Sequence, residues 1–104
     1  MDYNADIFHV HKYCFPTSYD HGHSHRIIGV SSLGIRRGNT HVHCYRGVTT
    51  LDNGHVHYYG GETGPALHLP GGGHIHCYRG ITTIEDRHRH AYEGTDFLLV
   101  PSQR

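Results

Sequence analysis

Residues 41–50 read HVHCYRGVTT, and 33 positions later residues 74–83 read HIHCYRGITT, differing only by valine for isoleucine at two places. The segment recurs in weaker form throughout the chain. HxH triplets begin at His9, His23, His41, His55, His74 and His88, with separations of 14, 18, 14, 19 and 14 residues. A period of about 33 residues, each period split into two halves, is the mark of a repeat architecture. Aligned on the first histidine, the halves share Tyr13, Tyr45, Tyr59, Tyr78 and Tyr92 four positions on, with Ile27 the exception. Six positions on stand Gly29, Gly47, Gly61, Gly80 and Gly94, with Phe15 the exception. Eight on stand Thr17, Ser31, Thr49, Thr63, Thr82 and Asp96. The unit is therefore HxHxYxGxT. Its period of two places His, His, Tyr, Gly and Thr on one face of a β-strand and fits no helical face.

The links support an all-β chain of three repeats, about 9–40, 41–73 and 74–104, forming one repetitive domain. Short turn-rich links within a repeat, SYDHG at 18–22 and TLDNG at 50–54, suit hairpin loops, while SLGIRRGNT at 32–40 and GPALHLPGGG at 64–73 are glycine-rich and disfavour helix. Antiparallel hairpins are the first expectation and a short β-solenoid the alternative. Pairing across the five-residue loop sets Tyr45 opposite Tyr59, His43 opposite Gly61 and His57 opposite Gly47. The two triplets of one hairpin then lie about 20 Å apart, at roughly 3.3 Å per residue. Either topology collects equivalent triplets at the same end. One group is His9, His11, His41, His43, His74 and His76; the other is His23, His25, His55, His57, His88 and His90.

Composition narrows the function. A chain of 104 residues that is 36% hydrophobic, with eight tyrosines in that share, has a thin aliphatic core. Nine basic and nine acidic residues leave no charge footprint for nucleic acid. No apolar run approaches the roughly 20 residues of a membrane helix, and MDYNADIF has no export-signal character, so synthesis in the cytoplasm is expected. Three cysteines without a CxxC pair argue against a disulfide framework.

Fourteen histidines are the outstanding feature. Imidazole suits Zn, Cu, Ni and Fe, and two rings of an HxH strand can share an ion. A triplet is half a site, which a second triplet, or tyrosine, cysteine or water, would complete to four-coordination. A stacked polar interior of histidine and tyrosine is the bland alternative. Copper is the first choice of metal on the affinity order, with zinc or nickel as alternatives. Strand parity puts Cys44 and Cys77 on the opposite face, as small apolar residues under the sheet, and Cys14 is out of register. His21 can extend the second triplet, whereas His68 reads as a linker residue.

The repeated HxHxYxGxT unit and the segment GPALHLPGGGHIHCYRGITT resemble the YmaF family of small, mostly Gram-positive bacterial proteins, most clearly over 40–95 and least in the first repeat, where Phe15 and Pro16 break the pattern. The resemblance implies a bacterial, histidine-rich β-repeat and assigns no catalytic residue. A cupin-like metalloenzyme is the rival class, because HVHYYGGE at 55–62 offers Glu62 after an HxH. The downstream cupin elements are missing, so binding is expected and catalysis is not. Unpaired repeat edges, with the apolar C-terminal DFLLVPSQR as an intersubunit strand, point to self-assembly as a homo-oligomer or filament. A soluble metal-storing or buffering monomer is the competitor. A filament would leave export open.

Overall fold

The computed structural model describes residues 7–97, so the C-terminal segment proposed as an intersubunit strand lies, beyond Phe97, outside the described residues. Among the described residues nine strands follow one another: β1 (Lys12–Pro16), β2 (Arg26–Val30), β3 (Gly34–Arg37), β4 (Thr40–Val48), β5 (Tyr58–Glu62), β6 (Leu67–His68), β7 (His74–Ile75), β8 (Cys77–Ile81) and β9 (Ala91–Thr95). Antiparallel pairing of β1 with β2, β4 with β5 and β8 with β9 makes three hairpins of the HxHxYxGxT units. The chain is all-β, and hairpins, not solenoid coils, are its building blocks.

The hairpins stand side by side as a rod about 49 Å long and 25 by 21 Å across. Single backbone hydrogen bonds join them in a cycle at both ends. At one end Ser32 N donates to Cys44 O, Gly64 N to Cys77 O and Phe97 N to Lys12 O; at the other, Thr50 N donates to Arg26 O, Thr83 N to Tyr58 O and Ser18 N to Ala91 O. Bridges Tyr13↔Asp96 and Thr17↔Tyr92 bring β9 back to β1. The repeat edges thus meet one another within one chain through these few bonds, while the strands form separate small sheets and no continuous barrel.

The register differs from expectation by two residues. Tyr45 lies opposite Gly61 and Tyr59 opposite Gly47, as do Tyr13 and Gly29, Tyr78 and Gly94, and Tyr92 and Gly80. His43 and His57 therefore face Thr63 and Thr49, not glycines. The tyrosine ring needs the space. A Cβ at Gly47 would sit 2.6 Å from Tyr59 Oη, and one at Gly80 2.5 Å from Tyr92 Oη. A slip of two leaves every side chain on its own face, so period two alone does not fix it. The turns do not set it alone: Asp52↔His55, Asp20↔His23 and Glu85↔His88 each close a two-residue turn whose central residues have positive φ, the type I′ pattern, and the pairing shifts by one residue between each turn and its strands, where Thr49 lies opposite His57, Thr17 opposite His25 and Thr82 opposite His90.

Between the two histidine-bearing ends lies an aromatic core of Tyr13, Phe15, Ile27, Tyr45, Tyr59, Tyr78 and Tyr92. Burial raises the pKa of Tyr13, Tyr45, Tyr59 and Tyr78, which keeps their hydroxyls protonated. Tyr13 and Tyr59 share a hydrogen bond of 3.1 Å, and Tyr45 and Tyr92 one of 2.9 Å. The departures from the repeat unit meet here. Phe15 pairs with Ile27, exchanging the large and small partners, and its ring covers Gly94, whose added Cβ would lie 2.4 Å from Phe15 Cγ. Tyr78 instead donates to buried Asp96 at 3.0 Å.

The glycine-rich links are also folded. β3 pairs with the start of β4, and β6 with β7, both at the end that carries His41 and His74. Among the described residues no helix is long and apolar enough to cross a membrane.

Candidate metal centre

The two histidine groups expected from the spacing assemble at opposite ends of the rod. His23, His25, His55, His57, His88 and His90 present ring nitrogens that all lie within 4.8 Å of one another; so do those of His9, His11, His43, His74 and His76. His41 completes the second cluster, with its Nε2 3.2 Å from Nε2 of both His74 and His76. His41 and His43 lie beside His74 and His76, with ring centroids 4.4–4.8 Å apart wherever the two pairs meet.

Each cluster has two layers. The second histidine of every triplet is nearer the tyrosine core, and His25, His57, His90, His43 and His76 are at most 1% exposed. The first histidine forms the outer layer, of which His55, His9 and His74 are half-buried. Within the first cluster each ring packs edge-to-face, at centroid distances of 4.8–5.0 Å, on every other ring save the one on the far side. His25 is opposite His88, His57 opposite His23, and His90 opposite His55. This is the adjacency of an octahedron. The second cluster repeats it, with His9 opposite His76, His11 opposite His41, and His43 opposite His74.

Hydrogen bonds fix the tautomers, because a backbone carbonyl can only accept. Nδ1–H of His25, His57 and His90 donates to Thr50 O, Thr83 O and Ser18 O at 2.9, 2.9 and 3.0 Å. In the outer layer His23, His55 and His88 donate to His21 O, Asn53 O and Asp86 O at 3.1, 3.2 and 3.0 Å. With Nδ1 carrying the proton, a neutral ring has a bare lone pair on Nε2. Those of His23, His55 and His88 face one another at 3.2–3.3 Å, and those of His25, His57 and His90 are buried with no partner in the structure. Six lone pairs thus converge. A regular octahedron built on edges of the outer triangle's length has its centre about 2.3 Å from each nitrogen, close to the roughly 2.0–2.1 Å of a metal–imidazole bond. At the other end His43, His76 and His11 donate from Nδ1 to Ser32 O, Gly64 O and Phe97 O at 2.8, 3.0 and 3.4 Å. Nε2 of His43 is likewise buried without a partner in the structure.

The threonine of the repeat unit, visible in the alignment but given no role from sequence, positions the inner ligands. Thr17, Thr49 and Thr82 Oγ1 accept the backbone N–H of His25, His57 and His90, each at 3.0 Å. Ser31, Thr63 and Asp96 do the same for His11, His43 and His76 at 3.0, 3.1 and 2.9 Å. The residue after each of these supplies the carbonyl that holds an inner Nδ1–H, and always from the neighbouring hairpin. Such outer partners orient ligands and set the ring's basicity. The sequence signal was the unbroken hydroxyl or carboxylate at the eighth position.

Burial, followed by the nearby imidazoles, pushes the pKa of His11 and His74 down to about 3 and that of His43 to about 4. His57 and His90 are lowered for the same reasons. These five rings are therefore held toward the neutral form, as metal ligation requires. Other candidates lie apart. Cys44 and Cys77 are exposed on the outer face, free of ligand geometry and not tucked under a sheet, because that face of each hairpin looks outward. Glu62 is engaged by Arg37, whose Nε and Nη2 each lie 3.2 Å from a carboxylate oxygen. The clusters differ from the four-coordinate expectation because all three triplets expected at each end, and not two of them, bring their ring nitrogens together.

No curated protein and no solved structure matches the chain. The model of the YmaF family, described as spore germination protein GerY/YamF, matches residues 6–98, nearly the whole chain. This β-rich, histidine-rich chain belongs to the YmaF family.

Proposed function

We propose that the chain is a metal-binding protein that holds two transition-metal ions, one in each six-histidine cluster, and that it is not an enzyme. The supporting observation is the convergence of six Nε2 lone pairs within 4.8 Å, the outer three spaced 3.2–3.3 Å apart, on rings whose Nδ1 protons are committed to backbone carbonyls. Without a cation or proton between them such lone pairs repel, and unpaired buried nitrogens cost about 1–3 kcal/mol each. A full six-nitrogen shell leaves no open position for substrate, and a closed site favours holding an ion over chemistry on it.

Copper is supported by the affinity order, which places Cu(II) highest on nitrogen ligands. The octahedral ligand set favours a different choice. Cu(II) takes tetragonal sites and zinc tetrahedral ones, so six equivalent imidazoles suit nickel(II) or iron(II) better. Nickel or iron is thus the leading assignment and copper the second. The family description as a spore germination protein makes the spore the proposed setting.

Both clusters are complete within one chain, so a monomer suffices for metal holding. Self-association keeps one support, the outward-facing Ile28, Val30, Val48, Tyr58 and Ile81, each about half exposed. Size-exclusion chromatography with and without chelator separates the two: a monomer in both removes the homo-oligomer and filament. Elemental analysis of chain purified without a histidine-affinity column tests the metal reading, with two ions per chain expected.

A further inference from the structure

Twelve of the fourteen histidines form the clusters, and the remaining two lie at the two mouths. Exposed His21 stacks on His88, with ring centroids 4.6 Å apart and planes inclined by 29°. Exposed His68 is the strand partner of His74, with ring centroids 5.9 Å apart. Each therefore touches the outer layer of a different cluster, on the side away from the tyrosine core. The inner ligands are sealed by that core, so an ion reaches them through the outer layer.

The local backbone singles out His21. It occupies the first central position of its turn at φ 55°, where the other two turns use Asn53 at 52° and Asp86 at 53°. Asn and Asp are common choices for that conformation. Histidine there adds an imidazole at the mouth of the His23–His90 cluster. Asp86, exposed in the same set of turns and 3.5 Å from His55 Nδ1 through Oδ2, adds negative charge at that mouth.

We propose that His21 and His68 are capture ligands, each the first protein group to bind an incoming divalent ion before it passes to the outer and then the inner histidines of its cluster. This rests on the metal-binding reading above. A hydrated ion sheds water stepwise, so an exposed imidazole beside an outer ligand lets one bond form before the next water leaves. A group used only in transit changes the rates of entry and exit by the same factor and leaves the dissociation constant unchanged, whereas a ligand of the final site changes the constant itself.

The test uses wild-type chain, His21→Asn and His68→Gln with nickel(II) as probe. Asparagine already occupies the equivalent turn position at Asn53, so the fold tolerates it there. Stopped-flow uptake and release to excess chelator are measured beside equilibrium stoichiometry. Each variant is expected to slow one of two kinetic phases about tenfold in both directions, with two ions per chain and the affinity retained. Unchanged or faster phases in both variants overturn the proposal. So does loss of affinity, which would make His21 or His68 a ligand of the final site. Wild-type chain that takes up neither nickel nor iron, copper or zinc fails earlier and contradicts the metal-binding reading itself.

Discussion

Thr49→Val isolates the clamp that sets the inner ligands. Thr49 is 4% exposed; its Oγ1 accepts the His57 N–H at 3.0 Å and donates to Thr50 O at 3.1 Å, while its own N–H bonds to His57 O at 2.9 Å. Valine keeps the shape and that backbone bond. It strands the buried His57 N–H, at a cost of about 1–3 kcal/mol. Thr50 O loses less, because His25 Nδ1–H still donates to it. The expected loss is therefore about 1–3 kcal/mol, read from urea unfolding of the metal-free chain with unchanged m-value. Thr95→Val, on the exposed face of β9, should stay within about 0.5 kcal/mol of wild type. Thr49→Ser keeps the hydroxyl and should recover most of the loss. In the loaded protein the reoriented His57 should weaken binding of one ion by about 10–100-fold. The reasoning fails if Thr49→Val is as stable as Thr95→Val.

Acid should unfold the metal-free chain. His11 and His74 titrate near 3 and His43 near 4 when folded, against 6.5 unfolded, so below pH 6.5 the unfolded chain binds more protons. Stability is full above that pH and falls by up to about 1.4 kcal/mol per pH unit for each ring until the folded values are reached. Asp96, raised by burial, works in the opposite sense and offsets part of this. A urea midpoint that does not move between pH 7 and pH 4 contradicts the burial of these rings. In the core, Phe15→Gly alone should cost about 3–5 kcal/mol, as large-to-small changes do. Combined with Ile27→Tyr, which recreates the tyrosine-over-glycine pair of Tyr59 and Gly47, the loss should shrink by more than about 1 kcal/mol. Additive losses in the double-mutant cycle refute the large-small exchange.

Much of this was legible because the unit repeats. Period two put histidine, tyrosine, glycine and threonine on one face, and the spacing assigned His41 and His43 to the company of His74 and His76. What stayed hidden depends on distances that period two does not encode. Tyr45 opposite Tyr59 and Tyr45 opposite Gly61 share the same alternation, and the volume of a tyrosine ring, with the one-residue shift of pairing beyond the type I′ turn at Asn53 and Gly54, selects the second. The octahedral packing of the six rings required knowing that three hairpins close on themselves, which rests on single bonds such as Ser18 N to Ala91 O between residues far apart in sequence. His68 read as a linker residue because its pairing with His74 runs through β6, a two-residue strand too short to carry a pattern.

Elemental analysis combined with X-ray absorption, on chain produced without an affinity tag, addresses the two clusters most directly. Two ions per chain, each with a first shell of six imidazole nitrogens, are predicted. A chain that is metal-free as isolated and takes up neither nickel, iron, copper nor zinc on titration contradicts the metal-binding reading.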